Sequence, residues 1–68
     1  MAEVAIYLAR KLRLPSGDVF ERYVVVVSSG CVIGWYPFDG EMHSMLLVEE
    51  LAICSAADGT LYVADVRF

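Results

Sequence analysis

Between Tyr23 and Phe38 the chain reads YVVVVSSGCVIGWYPF, two runs of β-branched and aromatic residues on either side of Ser28-Ser29-Gly30. Such runs favour extended backbone, and the serine–glycine triplet is turn chemistry, so a hairpin is expected here. The first arm, Val19 to Val27, opens with Phe20 against Glu21 and Arg22, then turns apolar on both faces from Val24 to Val27. A strand apolar on both faces is covered on both, which makes it a central strand. The second arm runs from Cys31 to Phe38, and Pro37, with no N–H to donate, marks where it leaves the sheet or follows an edge. Gly34, inside that arm, points to a bulge or a close backbone approach.

The flanking segments are less regular. From Val4 to Leu14 the apolar positions Val4, Ile6, Leu8, Leu12 and Leu14 alternate except at Arg10, which reads as a half-buried strand bent or bulged there. A helical alternative runs through Val4, Leu8 and Leu12, helped by Ala2, Ala5 and Ala9. Pro15-Ser16-Gly17-Asp18 supplies a preset φ, a residue tolerant of positive φ and a side chain able to bond back to the backbone, the makings of a turn. Asp39-Gly40 is a second turn signal, with Glu41, Met42 and His43 continuing as a loop. Ser44 to Ser55 reads as a strand with a bulge at Glu49-Glu50, with Met45, Leu47, Leu51 and Ile53 on one face and Leu46, Val48, Ala52 and Cys54 on the other, against a helical alternative that aligns Leu47, Leu51 and Cys54 and lets Ser44 cap. Asp58-Gly59 is a strong hairpin signal leading into Leu61 to Phe68, where Tyr62, Ala64, Val66 and Phe68 alternate with Asp65 and Arg67.

The sum is an all-β chain of about five strands joined by glycine turns, a single domain over residues 1–68. A small antiparallel sandwich or partly open barrel fits.

Composition adds one consequence. Hydrophobic residues make up 59% of the 68 residues, above the roughly 45–50% of ordinary domains. So small a chain cannot enclose that much apolar side chain, and the excess is expected against a partner, a second copy first. No apolar run reaches membrane-spanning length, and the basic cluster Arg10, Lys11 and Arg13 follows the first apolar stretch, the reverse of a secretory signal. The expected location is therefore cytoplasmic, with Cys31 and Cys54 as two buried thiols; a disulfide between them is the alternative. A net charge of −4 argues against nucleic acid and anionic membrane as partners.

Catalytic chemistry is sparse. The single histidine, His43, sits beside Ser44 with no third group to orient it, so no nucleophile–base pair is expected. Cys31, Cys54, Asp39 and His43 are scattered singly, which gives no metal site, and no cofactor is expected. Glu49 and Glu50, adjacent on a strand, point to opposite faces and suit edge protection better than paired acid–base work. What remains for binding is Trp35, Tyr36 and Phe38, as core, homomeric interface or ligand platform, with His43 nearby.

Residues 5–35, AIYLARKLRLPSGDVFERYVVVVSSGCVIGW, resemble the small N-terminal β domain of the amidohydrolase superfamily, in which a strand, a Pro/Ser/Gly/Asp-type turn, a strand ending in valines, a glycine turn and a third strand follow in that order. In that family the domain packs beside a metal-bearing barrel. The chain has no His-x-His motif and no room for a barrel, so the resemblance implies a stand-alone β domain without hydrolase activity. The expected function is a non-catalytic association or accessory module, most simply a homodimer. The alternative is a small-ligand-binding accessory subunit with a pocket between the sheets near Trp35, Tyr36 and His43.

Overall fold

The computed structural model describes residues 4–40 and 45–68. Among them the chain forms five strands and no helix: β1 (Val4–Arg13), β2 (Val19–Ser28), β3 (Cys31–Pro37), β4 (Leu46–Ser55) and β5 (Leu61–Arg67). They close into one barrel in the order β1-β2-β3-β5-β4. β1, β2 and β3 form an antiparallel meander, with β2 between the other two as its valine run anticipated. The chain then lays β4 against the far side of β1, in parallel, and a hairpin returns β5 between β4 and β3. The other seams are antiparallel. The β1–β4 seam had no cue in the sequence, because parallel partners far apart in the chain share no turn. The β3–β5 seam is held by one bridge pair, Cys31 with Tyr62.

Each strand breaks its in–out alternation once. The core-facing pairs are Ala9 and Leu12 in β1, Phe20 and Tyr23 in β2, Val32 and Trp35 in β3, Val48 and Leu51 in β4, and Val63 and Val66 in β5. A spacing of three leaves two consecutive residues outside: Arg10-Lys11, Glu21-Arg22, Ile33-Gly34, Glu49-Glu50 and Ala64-Asp65. In β3 and β5 this is a bulge, with register shifts opposite Val26/Val27 and Ala52/Ile53. In β1, β2 and β4 the breaks lie at one level, since Ala9 faces both Tyr23 and Val48 while Lys11 faces both Glu21 and Glu50. All three strands therefore bend together without losing register.

These breaks correct three readings. Glu49 and Glu50 do not point to opposite faces: both lie outside, between the core residues Val48 and Leu51, on a strand paired on both sides and therefore not an edge. Met45 and Leu47 do not share a face with Leu51 and Ile53: Leu47 is 64% exposed, whereas Val48, Leu51 and Ile53 are core. In β5 the inward set is Leu61, Val63 and Val66, with Tyr62 outside, because the extra residue Ala64 shifts the phase. The helical alternatives for the first and fourth segments fall away, as both are paired strands.

The turns follow their residues. Ser29 and Gly30 have φ of 51° and 81°, the double positive φ of a two-residue mirror-image turn between the paired Ser28 and Cys31. Leu14 and Gly17 close the first turn through Leu14 N–H to Asp18 O and Gly17 N–H to Leu14 O, each 2.9 Å. In the last hairpin the Thr60 amide donates to Asp58 Oδ1 at 2.9 Å.

Two tests follow. Leu51→Ala, at a fully buried position, should cost about 2–5 kcal/mol, comparable with the roughly 3–5 kcal/mol a core this small supplies. Urea titration should find this variant largely unfolded and Leu47→Ala near native; equal effects would contradict the inside–outside assignment. The Thr60 amide holds the Asp58 carboxyl below its ordinary 3.8. A depressed native pKa contributes stability above the unfolded value, lost as pH falls through the lower native one. The Asp58 carboxyl carbon should titrate by NMR with a midpoint below 3.8, and a midpoint at or above it would deny the hydrogen bond.

Candidate functional site

The outer surface divides into two regions of opposite character, and the common bend separates them. On the side of the bend that holds Val4 and Ser28, the exterior of β1, β2 and β3 carries Val4, Ile6, Val26, Ser28, Cys31, Ile33, Gly34 and Tyr36. None is charged. Val4, Ile33 and Tyr36 are 58%, 63% and 45% exposed, while Ile6, Val26 and Gly34 are half-buried. Gly34 leaves a dip, since a Cβ built on it would meet nothing within 4 Å. Tyr62 of β5 extends this face across the Cys31 bridge.

At and beyond the bend the exterior is charged. Glu21, Lys11, Glu50 and Arg67 lie side by side across β2, β1, β4 and β5 with alternating sign. Arg10 pairs with Glu49 at 3.4 Å and Arg13 with Glu50 at 3.1 Å. Exposed pairs like these contribute at most about 1 kcal/mol each, so their effect is to favour this register over a slipped one.

A groove of about 400 Å³ opens where the bend meets the ends of β3 and β5. Its apolar walls are Leu8, Phe38, Leu47 and Phe68, and its charged rim is Arg22 with the Arg10–Glu49 pair. Arg22 is held in the left-handed region at φ 55°, a backbone state that costs a non-glycine residue about 1–2 kcal/mol. Its carbonyl accepts the Phe38 N–H at 2.9 Å. Arg22 has no ion-pair partner among the described residues.

The four residues singled out in the sequence do not form one site. Trp35 packs against the core opposite Val25. Tyr36 points outward on the uncharged face, and Phe38 lines the groove. His43 lies outside the described residues. The groove is on the outside of the barrel, away from the interior position expected between sheets. Arg22, Leu8, Leu47 and Phe68 were missed as site residues, although the two adjacent charges Glu21-Arg22 were a sign that β2 breaks its alternation there.

Cys31 and Cys54 are both free and half-buried. Each faces Tyr62, on opposite sides. Two strand spacings, about 9–10 Å, separate them, beyond the roughly 7 Å reach of a disulfide. Among the described residues no three His, Cys, Asp or Glu side chains are grouped to hold a metal ion, and no helix is long and apolar enough to cross a membrane. No protein-family model, curated protein or solved structure matches this chain.

Glycine relieves the strain at position 22, and a β-branched residue increases it. Arg22→Gly should therefore unfold thermally at or above the native temperature, and Arg22→Val clearly below it. The reverse order would remove the left-handed bend.

Proposed function

We propose that the chain is a non-catalytic association module that pairs with a second copy of itself through the uncharged outer face of β1, β2 and β3. The observation that carries this reading is the segregation of charge. Every charged side chain of the three meander strands lies at or beyond the bend, in Arg10 to Arg13 and Glu21 to Arg22. Two chains of net charge −4 repel, and contact through the neutral face sets their charged regions farthest apart. That face also holds Val4, Ile33 and Tyr36, three of the large exposed apolar side chains.

Size sets the strength. Three strands at 4.8 Å spacing and six residues at 3.3 Å project to on the order of 300 Å², well under the ~800 Å² per partner of a standard interface. The proposed dimer is therefore reversible and weak, and its population rises only at high protein concentration. The non-catalytic part of the reading rests on the sequence, whose single histidine, His43, belongs to no recognisable nucleophile–base or metal-ligand spacing. Two free thiols and an acidic surface favour a reducing, cytoplasmic setting without nucleic acid or membrane partners. The resemblance to the amidohydrolase β domain supports the same type of role, since β1–β2–β3 is the expected meander and such a domain acts by packing on another body.

Size-exclusion chromatography with light scattering should show the native chain rising with concentration from 7.5 kDa toward twice that mass. Ile33→Glu, at an exposed position, should remain a monomer with an unchanged circular dichroism spectrum. A native chain that stays monomeric throughout, or an Ile33→Glu variant that dimerises equally well, would sink the proposal.

A further inference from the structure

The groove at the bend differs from the neutral face in holding a cation, Arg22, that has no ion-pair partner among the described residues. Of its three charged residues, Arg10 and Glu49 satisfy one another at 3.4 Å. That leaves Arg22, on a chain whose overall charge of −4 otherwise repels anions. The Arg22 backbone is pinned by its left-handed φ and by the Phe38 N–H it accepts, so its side chain leaves from a fixed point at the rim. Next to it stand two aliphatic and two aromatic walls, Leu8, Leu47, Phe38 and Phe68. A planar guanidinium beside apolar walls matches a carboxylate joined to an apolar tail, because the fork geometry accepts both oxygens while the tail leaves water. The volume, about 400 Å³, lies toward the small end of the roughly 300–1,000 Å³ of ligand sites and suits one acyl or aryl chain rather than a peptide or nucleotide. A phosphate group would call for more cation than this rim supplies.

We infer that this groove binds small monocarboxylates with an apolar tail, the carboxylate on the Arg22 guanidinium and the tail along Leu8, Phe38, Leu47 and Phe68. The site is separate from the face assigned to self-association and does not depend on it. It also differs from a pocket between sheets, since the tail lies on the outside of the barrel.

Decanoate, titrated into the native chain and followed by amide NMR, should shift the signals of Leu8, Arg22, Phe38 and Leu47. Arg22→Gln should weaken it about tenfold, the loss of one charge-assisted contact, while Arg13→Gln, whose partner is Glu50, leaves it unchanged. Decanol, with the same tail and no charge, should bind about tenfold more weakly than decanoate. Equal binding of decanol and decanoate, or of native and Arg22→Gln protein, would overturn the assignment. So would shifts confined to the neutral face around Ile33 and Tyr36, or no shifts at millimolar ligand. Groove signals that move on dilution without ligand would assign the groove to a second copy instead. Repeating the titration on Ile33→Glu separates the two proposals, because decanoate should bind that monomer as well as it binds the native chain.

Discussion

Strands of seven to ten residues enclose a core this small only by bending, and bending costs each of them its strict alternation once. The repeated unit is a pair of inward residues three apart with two outward residues between them. Two consecutive outward residues turn the strand around the barrel, and every strand contributes one such pair. Three of the pairs, Arg10-Lys11, Glu21-Arg22 and Glu49-Glu50, are fully charged. Charge at these positions makes the inward alternative expensive, since an ionised side chain cannot enter the core unpaired. The bend is thus specified by solvation as much as by backbone preference. Because the three fall at one level of neighbouring strands, each supports the others' register.

The same unit explains which parts of the fold were legible. The central hairpin could be read directly, as could the Asp58-Gly59 turn and the bends at Arg10 and at the glutamate pair. Where a segment held a bend, however, its core residues stood at i and i+3, which is also helical spacing. The helical alternatives for Val4 to Leu14 and Ser44 to Ser55 ran instead through Val4, Leu8 and Leu12 and through Leu47, Leu51 and Cys54, of which only Leu12 and Leu51 belong to the core. In β5 the outward pair includes Ala64, an apolar residue that gives no sign of pointing out, and the phase was misread. The parallel β1–β4 seam was illegible for another reason: it depends on the whole circuit of strands closing, which no local pattern encodes. Of the candidate site residues, Tyr36 and Phe38 were visible as aromatic. Arg22 was hidden as an ordinary surface charge, and only the left-handed backbone sets it apart.

Closure also leaves its mark on the edges. With Cys31 and Tyr62 as the one bridge between β3 and β5, the remainder of β3 runs as an edge strand. Pro37 ends it without an N–H to offer, and the bulge at Ile33-Gly34 twists it, two devices that discourage unlimited strand addition. Edge pairing, which can propagate, is thereby discouraged, and that is compatible with the face-to-face contact proposed above.

The high apolar content thus divides into three places. The fully or nearly buried set among the described residues is small, from Ala9 and Leu12 through the β2 valines to Leu51 and Ile53. A second set, headed by Tyr23, Trp35 and Val66, packs around it half-buried. The third lies outside, in the neutral face and in the groove walls. Val24 belongs to neither core nor open surface: it is fully buried, yet it lies between two core-facing residues, Tyr23 and Val25, and points the other way. Its burial shows that the exterior of the meander already behaves, at one point, as an interior. In the proposed dimer, a second copy laid over Ile6 and Val26 would extend to the neighbouring row the environment that Val24 has within the single chain.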